Sequence, residues 1–414
     1  MFLAPGGEGE TPGSWRTRDV WGISLSAFFA DLGYQAILAV FPLYLVLSLG
    51  APIWVFGLSQ ALAYGPGALF GYWGGRLGDR YGRWIVSIVG NAFLPLMALV
   101  GLSAVPSVAI ALLVVGWWAR NLRSPPRRAL MVDAVAPEHQ GEAFGLLHAL
   151  DVGGGMLAAI IAFFLLLGGI PYETILLLTI LPLAISTGVL GFVRVGRKPP
   201  APSVDPAPSA PTERAGDSSA GPERRIFWGI MGATVLYGFA SFSIGFPVLT
   251  TAQTTRNAAL GILVFVVALG LSSAVGLIAG RLRRGRVLAL ALGGYLVAAL
   301  GSALFAVAVG LGTGLALDLG AAAILGGALG AVETFEPTLI AAISPRSRVS
   351  RSMGSLTAFR SAGLFASNLI LGLLFLANGW VPYVYAALAA LAAAALLVGV
   401  AWKADTLGKG EATT

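Results

Sequence analysis

The chain has 414 residues, of which 57% are hydrophobic and only 11% charged, with a mean hydropathy of +0.83 and a formal net charge of +7. Soluble globular proteins carry about 25% charged residues, so this composition excludes an ordinary soluble domain and makes lipid the solvent for most of the chain. Cysteine is absent, which excludes disulfides and thiolate metal centres, and two His and six Met do not make a soft-metal pathway.

The first 17 residues are polar and Gly-rich. They lack the charged-then-apolar layout of a signal peptide, so no cleaved leader is expected. Backbone groups in lipid must be satisfied within the segment, so apolar runs of about 20 residues read as crossing helices. Twelve such runs follow: 20–48, 53–74, 84–104, 107–132, 142–167, 172–193, 226–250, 257–280, 287–310, 314–342, 352–376 and 380–402. The fifth and eleventh contain polar residues that weaken the hydropathy signal there. Between the sixth and seventh, the stretch rich in Pro, Ala and Ser has almost no large apolar side chain and cannot fold on itself. The predicted layout is therefore an N-terminal tail (1–18), a first six-helix bundle (19–195), a flexible linker (196–225), a second six-helix bundle (226–402) and a C-terminal tail (403–414).

Charge fixes the expected orientation. Of the 26 basic residues, all but Arg120, Arg123, Arg256 and Arg360 fall in the termini, the linker and alternate loops that would lie on one side. By the positive-inside rule that side is cytoplasmic, with both termini and the linker. The net positive charge thus reflects topology, and no nucleic-acid partner is expected.

Between the second and third runs stands Gly71–Trp84, GYWGGRLGDRYGRW, with Arg76, Asp79, Arg80 and Arg83 between two apolar stretches. Its Gly75, Gly78 and Gly82 permit tight turns and close packing. A short basic cytoplasmic hairpin is one reading. The spacing from Gly75 to Arg83 is more specific: it resembles the G-x-L-x-D-R-x-G-R motif of the major facilitator superfamily. That resemblance implies an all-α membrane fold of twelve helices in two pseudo-symmetric six-helix bundles, with the motif acting as a conformational gate. It also implies that Asp79 meets the start of the eleventh helix and arginines near the fourth when the cytoplasmic side is shut. Helix N-termini favour negative charge.

The halves echo one another, as expected of such transporters. Gly33 and Phe41-Pro42 match Gly238 and Phe246-Pro247 at the same spacing. Gly145-x-x-His148-x-x-Asp151 aligns with Gly354-x-x-Thr357-x-x-Arg360, and Gly280–Arg286 resembles a shortened copy of the loop motif.

Ionisable residues inside the runs carry the functional signal, because each costs about 2.5–3.5 kcal/mol at a bilayer centre. They are Asp31, Arg120 with Arg123, His148 with Asp151, Glu333 with Glu336, and Arg360; Asp318 lies near an outer helix end, where solvation would account for it. Runs 3, 6, 9 and 12 carry none in their interiors, and in the resembled family those helices face lipid. Internal ion pairs would explain the charges: Asp31 or Asp151 with Arg120 or Arg123, and Glu333 with Arg360. The functional reading makes Asp31, Asp151, Glu333 and Glu336 proton-coupling candidates, Asp31 first. A carboxylate's proton affinity rises in a poorly solvated cavity and falls beside an arginine. Substrate-binding candidates are Tyr34, Gln35, Arg120, Arg123, His148, Tyr237, Phe239, Phe335, Arg360 and Asn368. Gly153-Gly154-Gly155 reads either as close packing or as part of the Gly-rich fifth-helix motif of drug/proton antiporters, without its proline.

The expected function is secondary active transport of a small amphipathic organic solute, proton-coupled, with export ahead of uptake of an organic anion or zwitterion. The expected partners are that solute, protons and the bilayer, with the chain a monomer. No cofactor, metal or catalytic residue is expected. The other classes considered are a channel, a non-transporting receptor, and an intramembrane lipid-modifying enzyme, for which Glu333 and Glu336 are the one acid pair.

Overall fold

The computed structural model describes residues 15–196, 222–279, 286–343 and 349–411, and these are helical throughout apart from short connections. The predicted linker core, the extreme tails and the loop copy at 280–285 lie outside the described residues. The helices are α1 (Arg18–Ser48), α2 (Ile53–Tyr81), α3 (Arg83–Leu102), α4 (Pro106–Ala134), α5 (Gln140–Leu167) and α6 (Tyr172–Gly191). In the second half come α7 (Pro222–Ala240 and Gly245–Thr255), α8 (Ala258–Ala279) and α9 (Arg286–Ala289 continuing through Val297–Leu311). They are followed by α10 (Leu315–Ile343), α11 (Val349–Leu374) and α12 (Val381–Glu411).

Among the described residues eleven helices are long and apolar enough to cross a membrane. The twelfth, α4, is the exception, because its 29 residues carry Arg120, Arg123, Arg127 and Arg128. This corrects the sequence expectation: α5 has a hydropathy of 2.2 and passes easily, α11 is weaker at 1.3, and the cations of α4 hide the remaining span. The loop motif is corrected too. Gly75, Gly78 and Arg80 are helical, because α2 runs to Tyr81, and the reversal into α3 rests on Gly82 alone, at φ 104°. A side chain there would be strained.

Helix pairs approach closely where glycine removes a side chain. A Cβ on Gly74 of α2 would run into the backbone carbonyl of Leu122 in α4, and one on Gly154 of α5 into the carbonyl of Phe28 in α1. Gly153, its neighbour, faces open space. The helix-5 glycines thus include a close-packing contact. Gly154→Ala is expected to destabilise the protein by about 1–3 kcal/mol through overpacking, whereas Gly153→Ala should be neutral. Thermal unfolding of the two purified variants in one detergent checks this, and equal midpoints would refute it.

Across the halves, α2 packs on α11, α5 on α8, and α1 on the second segment of α7. These contacts concentrate at the end away from the loop motif. There, one core joins both halves through Phe41, Phe56, Phe246 and Phe265. Phe56 meets Phe246 edge-on with centroids 4.9 Å apart, and Phe246 stacks on Phe375 at 5.3 Å. At the loop-motif end each half keeps its own core, around Ile23, Leu130 and Leu147 in the first and around Tyr295, Val332 and Leu397 in the second. Among the described residues the halves therefore share one core at the end away from the loop motif and keep separate cores at the other. Outer helices α3, α6, α9 and α12 expose large apolar side chains such as Leu102, Leu181, Leu311 and Leu388, as lipid contact requires.

Candidate functional site

In the first half, Asp31 lies midway along α1 and is 5% exposed. Tyr34, one turn on and itself buried, donates its hydroxyl to Asp31 Oδ1. Arg120 of α4 donates to the same hydroxyl oxygen at 3.3 Å and lies over the Tyr34 and Trp117 rings, 5.2 and 4.9 Å from their centroids. Asp31 Oδ2 is buried with no hydrogen-bond partner. Asp31 therefore meets Arg120 through Tyr34, and no direct Asp31–arginine ion pair forms among the described residues. Gln35 is half-buried and packs over Gly155 of α5.

Asp151 of α5 pairs with Arg127, at 3.4 Å, and not with Arg120 or Arg123 as expected. Arg127 lies two turns beyond Arg120 on the same face of α4, and its place beside the basic Arg128 made it read as a loop residue. Arg123 is 1% exposed, inside the half, with its stem against Gly90 of α3. That position removes it from the cavity-lining group proposed from the sequence. His148 is exposed on α5.

In the second half, Glu333 and Glu336 of α10 both converge on Arg360 of α11. Arg360 Nη1 donates to Glu333 at 2.5 Å, Nε donates to Glu336 at 3.1 Å, and Nη2 also donates to Glu336. Glu336 is fully buried and accepts at 2.5 Å from the Tyr295 hydroxyl, while the Glu333 side chain is 55% exposed. The expected Glu333–Arg360 pair is present, extended by Glu336 and by Tyr295. Sequence reading missed Tyr295; its signal is one phenol halfway along an otherwise apolar run. The arrangement mirrors the first half with the charges exchanged: Arg127–Asp151 and Glu336–Arg360 each join residues 24 apart, on helices at equivalent positions of the two halves.

Other sequence candidates are placed differently. Tyr237 stacks on Tyr295 at 4.4 Å, and both it and Phe335 are buried in the core of the second half. Phe239 is half-buried. Asn368 is fully buried and caps the break in α7, accepting from the Ser243 amide at 3.0 Å. Asp318 is not solvated: it is 3% exposed and accepts from Thr251 at 2.8 Å, because α7 covers this part of α10. Arg128 of α4 is exposed and within electrostatic reach of Glu333, across the gap between the halves. In the loop motif, Asp79 is 71% exposed and lies 3.7 Å from Arg83, which in turn holds Asp133 of α4 at 2.5 Å. Arg80 lies over Tyr81.

Comparison with known proteins agrees with this architecture. The family model described as Major Facilitator Superfamily matches residues 23–334. A multidrug resistance protein, MdtH of Photorhabdus laumondii subsp. laumondii, is 26% identical over 136 residues, covering 33% of this chain and 34% of that protein, so the match spans about a third of the relative's length. A POT family transporter solved in complex with 5-aminolevulinic acid superposes with a TM-score of 0.74 at 12% identity, covering 94% of this chain and 96% of that one. The nucleoside transporter NupG (D323A mutant) superposes with a TM-score of 0.69 at 12% identity, covering 94% and 99%. With a family model spanning most of its length and a fold shared with solved transporters, this multi-pass membrane chain belongs to the Major Facilitator Superfamily.

Proposed function

We propose that the chain is a proton-coupled secondary transporter that exports a small amphipathic organic solute across the cytoplasmic membrane by alternating access. The observation that carries the coupling is Asp31, an acid buried in mid-helix with one oxygen held by Tyr34 and the other unpartnered. An intramembrane acid is retained at a cost only where it pairs or works, and moving one charge through 100 mV supplies about 2.3 kcal/mol. Glu333 and Glu336 serve an ion pair with Arg360, which supports transport over the lipid-modifying enzyme that would need that acid pair. Export is favoured by the partial likeness to a protein named for multidrug resistance. Uptake of an anion or zwitterion has its own support in the opposed charges of Arg128 and Glu333.

In this reading both termini and the loop motif are cytoplasmic, the chain acts as a monomer, and the structure is the cytoplasm-facing state. Asp79 is then released from its lock, as its exposure fits. Asp79→Asn is expected to lower transport severalfold while leaving the yield of folded protein unchanged; vesicle transport rates equal to wild type would refute the gating role. The test of function itself uses proteoliposomes holding a pH-sensitive dye, with an imposed pH gradient and cationic, anionic, zwitterionic and lipid-like compounds added in turn. Substrate-dependent proton movement is expected, and its sign decides export or uptake. A compound that binds but moves no protons would refute proton coupling.

A further inference from the structure

Among the described residues Arg123 is the largest fully buried side chain, and its Nε and Nη1 have no hydrogen-bond partner. One turn on, Arg127 is 5% exposed, and its Nε and Nη1 are also unpartnered; its one bond is the 3.4 Å contact from Nη2 to Asp151. Residues four apart on a helix are neighbours on one face, and Arg127 is the charge that acts most strongly on Arg123, ahead of Asp31 and Arg120. Two cations thus stand together out of water with four orphaned donors. Such donors are seldom left bare, because the desolvation of a charged group is recovered only by a partner.

Charge decides what that partner is. In the interior of the first half, Arg120, Arg123 and Arg127 face Asp31 and Asp151; Arg127 takes Asp151, while Asp31 accepts from Tyr34 on one oxygen and its other oxygen makes no hydrogen bond to any of these arginines. The protein's own acids leave one positive charge over. A water would satisfy donors without offsetting that charge, whereas a small anion does both. Arg123 packs on α3 at Gly90, where even a Cβ would come within 2.8 Å of the arginine stem. Packing that close favours an ion over an organic solute.

We infer that Arg123 and Arg127 bind a small inorganic monovalent anion, chloride under cellular conditions, at a structural site inside the first half that is separate from the transport cavity. The site does not depend on the transport reading, and its test does not use transport.

Wild-type protein in nanodiscs is melted at constant ionic strength while gluconate is replaced by chloride. A saturable rise in Tm of several degrees is expected. Arg123→Gln should remain monodisperse and lose that dependence, while Arg256→Gln, outside the site, should keep it. Bromide diffraction from wild-type crystals gives a second reading that needs no variant, with an anomalous peak expected against the Arg123 and Arg127 guanidiniums. A wild-type Tm equal in the two salts, or bromide bound elsewhere and not between these arginines, would overturn the assignment.

Discussion

Glu336→Ala is expected to destabilise the protein by about 3–5 kcal/mol, the cost of breaking a buried ion pair from one side. Glu336 is fully buried, and removing it leaves Arg360 and the Tyr295 hydroxyl without their shared acceptor. Glu333→Ala deletes an equally close contact to the same arginine, yet its side chain is 55% exposed, and water can replace it. Screened contacts of that kind are worth about 0–1 kcal/mol. The double variant Glu336→Leu/Arg360→Met should recover much of the loss, since a buried pair replaced by apolar side chains of similar volume is often neutral. Denaturant unfolding in mixed micelles measures all three. Equal losses for Glu333→Ala and Glu336→Ala would show that burial does not separate their roles.

Asp31→Asn is expected to abolish substrate-driven proton movement while preserving exchange of substrate across the membrane. Asparagine can still accept from Tyr34, so the α1–α4 contact through Arg120 should survive. What is lost is the group that can gain and release a proton. Net flux in proteoliposomes should fall to the level of empty vesicles, and counterflow of labelled substrate should continue. Loss of both activities with intact protein would make Asp31 a binding residue. Retention of both would move coupling to another acid, with Asp151 next by position. Tyr34→Phe offers a finer reading: Asp31 keeps its carboxyl but loses the hydroxyl that links it to Arg120, so the pH dependence of transport should shift while coupling persists.

The charge-exchanged pairs explain how a weak internal repeat becomes a working symmetry. Arg127–Asp151 ties α4 to α5 in the first half, and Glu336–Arg360 ties α10 to α11 in the second. Each holds together a helix hairpin that must move as one body if the halves rock. Arg128 and Glu333, on opposite halves, also lie within electrostatic reach of one another.

The sequence by itself determined the membrane class, the span positions to within a few residues for most helices, the twofold plan and the short roster of intramembrane charges. Length and apolar composition control crossing, and an ionisable residue in an apolar run is visible without a fold. It also placed the motif around Asp79, though not that α2 continues helically to Tyr81 with Gly82 as the whole turn. Only the tertiary structure decided partnership. Whether Asp151 meets Arg123 or Arg127 depends on the axial register of α5 against α4, because the two arginines lie on one face of α4, one turn apart. Burial behaved in the same way. Asp318 and Asn368 are enclosed because α7 covers α10 and breaks beside α11, and Arg123 turns inward because Gly90 lets α3 approach it. Those are facts about neighbouring helices, set by packing between segments far apart in the chain, and local sequence does not carry them.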